Sequence, residues 1–236
     1  MNHRLRSAGA AGVVLMALAS RPPRLAAADE LPTLASIIDR YIESIGGRAA
    51  LSRSGAVILT GRCESTAPEE SGPIEILVKT PNVVFNLGGG VLRMGFDGES
   101  VWRATASEGL QQRKGRRLAE MVTVFDPARA LWWKDWYPDM AVRGVQKLGD
   151  REAWVLEAQT GNPATERLFI DRESNLLVRD EVAPGFAFTF SDYRARNGIR
   201  AAFVVQETAP NGVVYTYRFE KIDPVAVVDE ARFQPK

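Results

Sequence analysis

The amino-acid sequence predicts a mainly β protein with a few helices. Three observations carry that reading. Short stretches rich in Val, Ile, Leu or Phe recur along the chain, divided by Gly, Pro and Ser. One segment near the start has the three-to-four-residue apolar spacing of an amphipathic helix. The strand-like stretches follow one another across short turns, which implies an antiparallel meander and excludes a βαβ crossover fold.

Taken in order, the first element is an address. Asn2 to Arg6 is basic, Ala8 to Ala19 is apolar, and Ala26-Ala27-Ala28 offers small residues for cleavage. That order is the plan of a secretory signal peptide, and the apolar run is shorter than the ~20 residues that span a bilayer. Residues 1–28 are therefore read as a signal peptide and 29–236 as a single domain, exported to the periplasm. Cleavage after Ala28 removes Arg4, Arg6, Arg21, Arg24 and no acidic residue, so the formal charge moves from +1 to −3. A mildly acidic chain is not expected to bind nucleic acid.

Leu34, Ile37, Ile38, Tyr41, Ile42 and Ile45 then mark one helix face, with Thr33 placed to cap it and Gly46-Gly47 to end it. Strands are predicted at 56–63, 74–79 and 83–87. A hairpin follows over 93–102, because Asp97-Gly98 tolerates the turn between two apolar stretches. Further strands are predicted at 153–158, 167–171, 176–181, 186–193, 199–207 and 213–221. In the last of these, Val213, Tyr215, Tyr217 and Phe219 alternate with largely polar neighbours, as in a sheet with one wet face. One segment interrupts the strands. Leu118, Met121, Val122 and Phe125 have helical spacing, Asp126-Pro127 breaks it, and Leu131, Trp132 and Trp136 continue it.

Composition narrows the chemistry. His3 is the only histidine and lies in the signal segment; Cys63 is the only cysteine. The remaining chain cannot build a Ser-His-Asp triad, a Cys-His pair or a histidine-ligated zinc site, so no enzyme activity and no cofactor are expected. A lone cysteine in an exported protein reads as a small buried hydrophobe.

Two stretches and the ending carry a family likeness. Ile76-Leu77-Val78-Lys79-Thr80-Pro81-Asn82-Val83-Val84-Phe85-Asn86 resembles the strand-turn-strand of the LolA/LolB-like lipoprotein carriers. Phe96-Asp97-Gly98-Glu99-Ser100-Val101-Trp102 resembles the next hairpin of that family, and Asp229 to Pro235 is similar to its closing Asp-x-x-x-Phe-x-Pro. The resemblance implies a half-open antiparallel β-barrel with helices covering its concave face, and an apolar cavity that holds the acyl chains of a lipoprotein or another hydrophobic ligand. It implies a monomer working by binding and transport, in outer-membrane biogenesis. A related type, the RseB/MucB envelope regulators, uses this fold to bind a membrane-anchored protein, so a protein partner is the alternative implied. Arg62 is a candidate for the arginine that helps close the lid in the carriers.

The ligand-binding candidates are Phe85, Trp102, Met121, Phe125, Trp132, Trp133, Trp136, Phe186 and Phe188. Trp132, Trp133, Trp136 and Tyr137 read either as a lid facing lipid chains or as core. Adjacent helical residues sit ~100° apart, so Trp132 and Trp133 cannot share one face. Phe186, Phe188 and Phe190 form a stripe that serves as core or as cavity wall. The basic run Arg113 to Arg117 is a solvated loop or a dock for anionic head groups. Gly88-Gly89-Gly90 reads as a hairpin turn. Asp126, Asp135, Asp139 and Asp150 carry no spacing that sets them apart from surface charge.

Overall fold

The computed structural model describes residues 31–53, 55–88, 92–105, 107–114, 123–161, 164–225 and 227–235. The signal segment lies outside them, as do Gly89, Gly90 and the stretch 115–122 that includes Met121. Thirteen described strands form one antiparallel sheet. In chain order they are β1 (Ala56–Ser65), β2 (Gly72–Lys79), β3 (Asn82–Leu87), β4 (Leu92–Phe96), β5 (Ser100–Thr105), β6 (Gly109–Lys114), β7 (Ala141–Leu148), β8 (Arg151–Gly161), β9 (Ala164–Asp171), β10 (Leu177–Ala183), β11 (Phe186–Arg196), β12 (Ile199–Thr208) and β13 (Val214–Val225).

The spatial order is β6-β5-β4-β3-β2-β1-β13-β12-β11-β10-β9-β8-β7. Every pairing thus joins strands adjacent in sequence, except at one seam, where β1 meets β13 from Ala56↔Val225 to Ser65↔Tyr215. The register shifts there between Thr60 and Gly61, and Gly61 is required: a Cβ at this position would lie 2.0 Å from the Arg218 carbonyl oxygen. The sheet is not closed, since β6 and β7 stand at opposite ends. This is the half-open barrel expected from the sequence.

Helix α1 (Leu34–Ser44) lies on the concave face. The Thr33 hydroxyl accepts from the Ser36 amide at 3.2 Å, so the predicted cap is in place. Ile37, Ile38, Tyr41 and Ile42 are buried and join inward-facing residues of the strands, among them Leu59, Phe203 and Phe219, in one core. Full burial of an Ile side chain contributes ~1.5–3 kcal/mol, which makes this face the main hold of the helix on the sheet. Gly46, at φ 124, ends α1, and a Cβ there would lie 2.2 Å from the Gly198 carbonyl oxygen of the β11–β12 turn. A second short helix, α2 (Gly47–Arg53), follows without having been expected.

The connection from β6 to β7 folds into the same concavity. Its described part is a 3-10 turn at Thr123–Phe125, another at Arg129–Trp132, and a single helical turn, α3 (Trp133–Trp136). The predicted break at Asp126-Pro127 falls between the two 3-10 turns. Trp133 stacks on Tyr41 of α1 with ring centroids 5.2 Å apart. The C-terminal 3-10 turn (Glu230–Phe233) instead packs on the convex face, where Phe233 joins Ala56, Leu77, Val84 and Trp102 in a separate core.

Candidate functional site

The end of the concavity away from the α1–α2 junction holds a cavity of about 510 Å³. One wall is built from β3, β4 and β5. Phe85 and Leu87, Leu92 and Met94, and Val101 all point inward by the two-residue alternation of their strands. The opposite wall is Phe186 and Phe188 of β11 with Tyr215 and Tyr217 of β13. Phe125, at the end of its 3-10 turn, forms the floor. Its ring meets Phe85, Phe188, Tyr217 and Phe219 with centroids 5.2 to 6.2 Å apart, three of them edge-on. Such tilted pairs place positive ring edges on negative faces. One aromatic side chain therefore separates the cavity from the filled core around α1.

The polar part of the lining is acidic. Glu69 and Glu70 come from the turn after β1 and Glu207 from β12; Arg103 is the single basic residue among the described lining. Arg103 is already paired with Glu108 at 2.7 Å. The Tyr217 hydroxyl donates to Glu207 at 2.7 Å, and the Tyr215 hydroxyl donates to Glu70. Burial pushes the Glu207 carboxyl above its ordinary value of 4.5; the Tyr217 bond opposes this and the Glu70 charge adds to it. Cys63, on the neighbouring β1, is buried and free. Burial and the charges of Glu207, Glu70 and Glu64 push its thiol up to about 12, which keeps it protonated and unreactive.

Phe85, Phe125, Phe186 and Phe188 are brought together around this cavity, four sequence candidates on three separate elements. Trp102 is not with them, and the expectation that it lines the cavity is corrected. Val101 takes the inward position on β5, so Trp102 faces the convex side, where it is fully buried under Phe233. Its indole Nε1 donates to the Phe233 carbonyl at 2.9 Å, and the Arg93 guanidinium lies 5.0 Å above its ring. The tryptophan group divides. Trp133 is core, Trp136 is half-buried, and Trp132 is 41% exposed; none of the three is among the described lining residues. Met121 lies outside the described residues. Phe190 faces the Arg129 guanidinium at 5.8 Å, deeper in the concavity.

Arg62 is exposed beside inward-facing Cys63 and so faces away from the concavity. The arginine that fastens the inserted segment is Arg129. Its guanidinium donates to Asp180 Oδ2 of β10 at 2.8 Å, and both side chains are almost wholly buried. Asp180 Oδ1 has no donor among the described residues. Glu166 of β9 is the neighbouring acid, and the Tyr137 hydroxyl donates to its Oε2 at 2.9 Å. Burial, followed by the Asp180 charge, raises the Glu166 carboxyl well above its ordinary value. The raised value favours the protonated form of Glu166, the form that can donate a hydrogen to Asp180. Asp126 ties the other end of the segment. It accepts from the Thr80 hydroxyl, and its Oδ1 accepts from the Ala128 amide at 2.8 Å. Asp126 is thus a structural anchor, with its carboxyl raised by burial.

The sequence motifs turn out to be architectural. Thr80 of the Lys-Thr-Pro-Asn turn holds Asp126, and Lys79 pairs with Glu230 of the C-terminal turn. In the Asp-Gly hairpin, Asp97 Oδ1 accepts from the amides of Glu99 and Ser100 at 3.0 and 2.8 Å. Arg113 and Lys114 belong to β6, while the rest of that basic run lies outside the described residues. Gly88 has φ 63 after β3; the rest of the predicted Gly88-Gly89-Gly90 turn lies outside the described residues.

No family model matches the sequence, and no curated protein matches it. Solved structures do match the fold. A LolA superfamily protein from Nitrosomonas europaea superposes with a TM-score of 0.58 at 12% identity, over 86% of this chain and 98% of that one. A DUF1329 family protein from Desulfovibrio piger gives 0.53 at 11% identity, over 85% and 96%. A domain assigned to outer membrane lipoprotein sorting, from Vibrio parahaemolyticus, gives 0.51 at 13% identity, over 83% and 95%. The half-open sheet with helices in its concavity is therefore the LolA-like fold.

Proposed function

We propose that this chain is an exported binding or carrier protein for a hydrophobic ligand, such as the acyl chain of a lipoprotein or lipid, held in the cavity between β3–β5 and β11–β13. The observation that carries the proposal is the apolar cavity itself. Its 510 Å³ lies within the ~300–1,000 Å³ of small-ligand sites, and its walls are aliphatic and aromatic. Taking a methylene as about the volume of a water molecule, ~30 Å³, the space holds about seventeen, which is one long chain. Each buried methylene contributes ~0.8 kcal/mol, so affinity needs no covalent step. The LolA-like fold and the signal-peptide pattern of residues 1–28 support a periplasmic place of action. The lack of histidine beyond His3 and the protonated thiol of Cys63 support a role without catalysis.

Native mass spectrometry of protein purified from envelope material should show a bound mass in the range of a single lipid. The neutral dye phenylnaphthylamine should bind and brighten, and Met94→Trp, which fills the cavity from β4, should weaken the dye at least tenfold while the circular dichroism spectrum is retained. A consistently empty protein that also ignores the dye ends the carrier reading. A stoichiometric protein partner recovered without lipid would favour the sensing module instead.

A further inference from the structure

We propose that the ligand of this cavity is an amphiphile with a single apolar chain and a cationic, amine-type head, seated against Glu70 and Glu207. The inference rests on the cavity being a hydrophobic-ligand site, and it names the head group that the site selects.

The apolar walls alone accept any chain. The carboxylates at their edge do not accept any head. Glu69, Glu70 and Glu207 face the cavity against a single arginine, and Arg103 is already held by Glu108 at 2.7 Å. A carboxylate or phosphate head entering here meets like charge at the rim of a low-dielectric pocket, where Coulomb energies are several times larger than in water. An ammonium meets the opposite. Glu70 and Glu207 are also oriented for it, because Tyr215 and Tyr217 each donate a hydroxyl to one of them. The two tyrosine rings are stacked, 6.3 Å apart and 7° from parallel, with their hydroxyls directed at the two carboxylates.

Two groups on other strands report the same field. Burial raises the Cys63 thiol on β1 and the charges of Glu207, Glu70 and Glu64 add to it; burial likewise raises Glu207, and the Glu70 charge adds to that. The carboxylates repel one another in the unliganded site, and an arriving ammonium relieves that repulsion.

The test compares dodecylamine with dodecanoate, which have chains of equal length and heads of opposite charge, as competitors of phenylnaphthylamine at neutral pH. Dodecylamine should displace the dye at a concentration at least tenfold lower than dodecanoate. The double variant Glu70→Gln/Glu207→Gln should bring the two within about threefold, chiefly by weakening the amine. Should burial at Glu207 make that variant fold poorly, the exposed pair Glu69→Gln/Glu70→Gln should narrow the gap at least threefold. Dodecanoate binding as tightly as dodecylamine, or a gap unmoved in folded variants, overturns the head-group assignment while the cavity reading stands. Failure of the neutral dye to bind at all overturns the cavity reading itself.

Discussion

Glu166 is held away from water and beside Asp180, and both conditions favour its protonated form. Its folded-state value is raised, so the group contributes its full stability below the ordinary glutamate value of 4.5 and loses it as pH rises toward the raised value. Through that window folding takes up a proton, and stability falls by up to about 1.4 kcal/mol per pH unit. Glu166→Gln keeps an acceptor for Tyr137 and an N–H for Asp180 without the proton. The variant should match the natural chain near pH 4 and exceed it increasingly at higher pH, as read from urea midpoints across that range. Parallel pH profiles for the two proteins would mean that Glu166 is ionised in the fold. The Arg129–Asp180 pair beside it belongs to the class whose one-sided removal costs ~3–5 kcal/mol, because the surviving charge stays buried. The inserted segment is therefore held at its base by charge and at its tip, Phe125, by aromatic contact.

At the scale of elements, the C-terminal turn is a latch on the convex face. Phe233 covers Trp102, Arg232 pairs with Glu75 at 2.8 Å, and Asp229 caps the Ala231 amide at 3.0 Å. Phe233→Ala should cost ~3–5 kcal/mol in thermal or denaturant unfolding. Dye affinity should remain within about twofold at temperatures where the variant is folded, since the latch and the cavity lie on opposite faces. A large loss of affinity would show that the two faces are coupled through β5. The same elements explain what could be read in advance. Helix α1 and the inner strands were legible because burial on one face imposes a period on the sequence. Strands β6 and β7 were not, because each has a single neighbour and no residue of β7 is fully buried, so its sequence mixes apolar and polar residues without a clear alternation. Phe186 and Phe188 were legible as a stripe, but hydropathy does not tell a concave position from a convex one, and Trp102 was misplaced for that reason. Glu69, Glu70 and Glu207 carry no local pattern; only the pairing of β1 and β12 with β13 between them brings them to one rim.

At the scale of the whole molecule, the sheet is two meanders, β1–β6 and β7–β13, joined along β1 and β13. Every other pairing lies between strands adjacent in sequence. Gly61 sits in the joining seam with no room for a side chain, since its missing Cβ would overlap the Arg218 carbonyl. Gly61→Ala should lower stability by ~1–3 kcal/mol, the cost of forcing an overpacked position apart. The seam also sets an order of events in time. Hairpins close over a few residues and form within microseconds, whereas joining Ala56 to Val225 closes nearly the whole domain at once and carries the largest loop entropy. The two meanders then fold as separate stacks of hairpins, and their zippering is the slow step. In stopped-flow refolding Gly61→Ala should accordingly slow the folding limb, while a variant that only hastened unfolding would place the seam after the barrier. A chain still waiting for that step exposes β1 and β13 as unpaired edges, so the hazard of aggregation is concentrated at the same line of residues that completes the barrel.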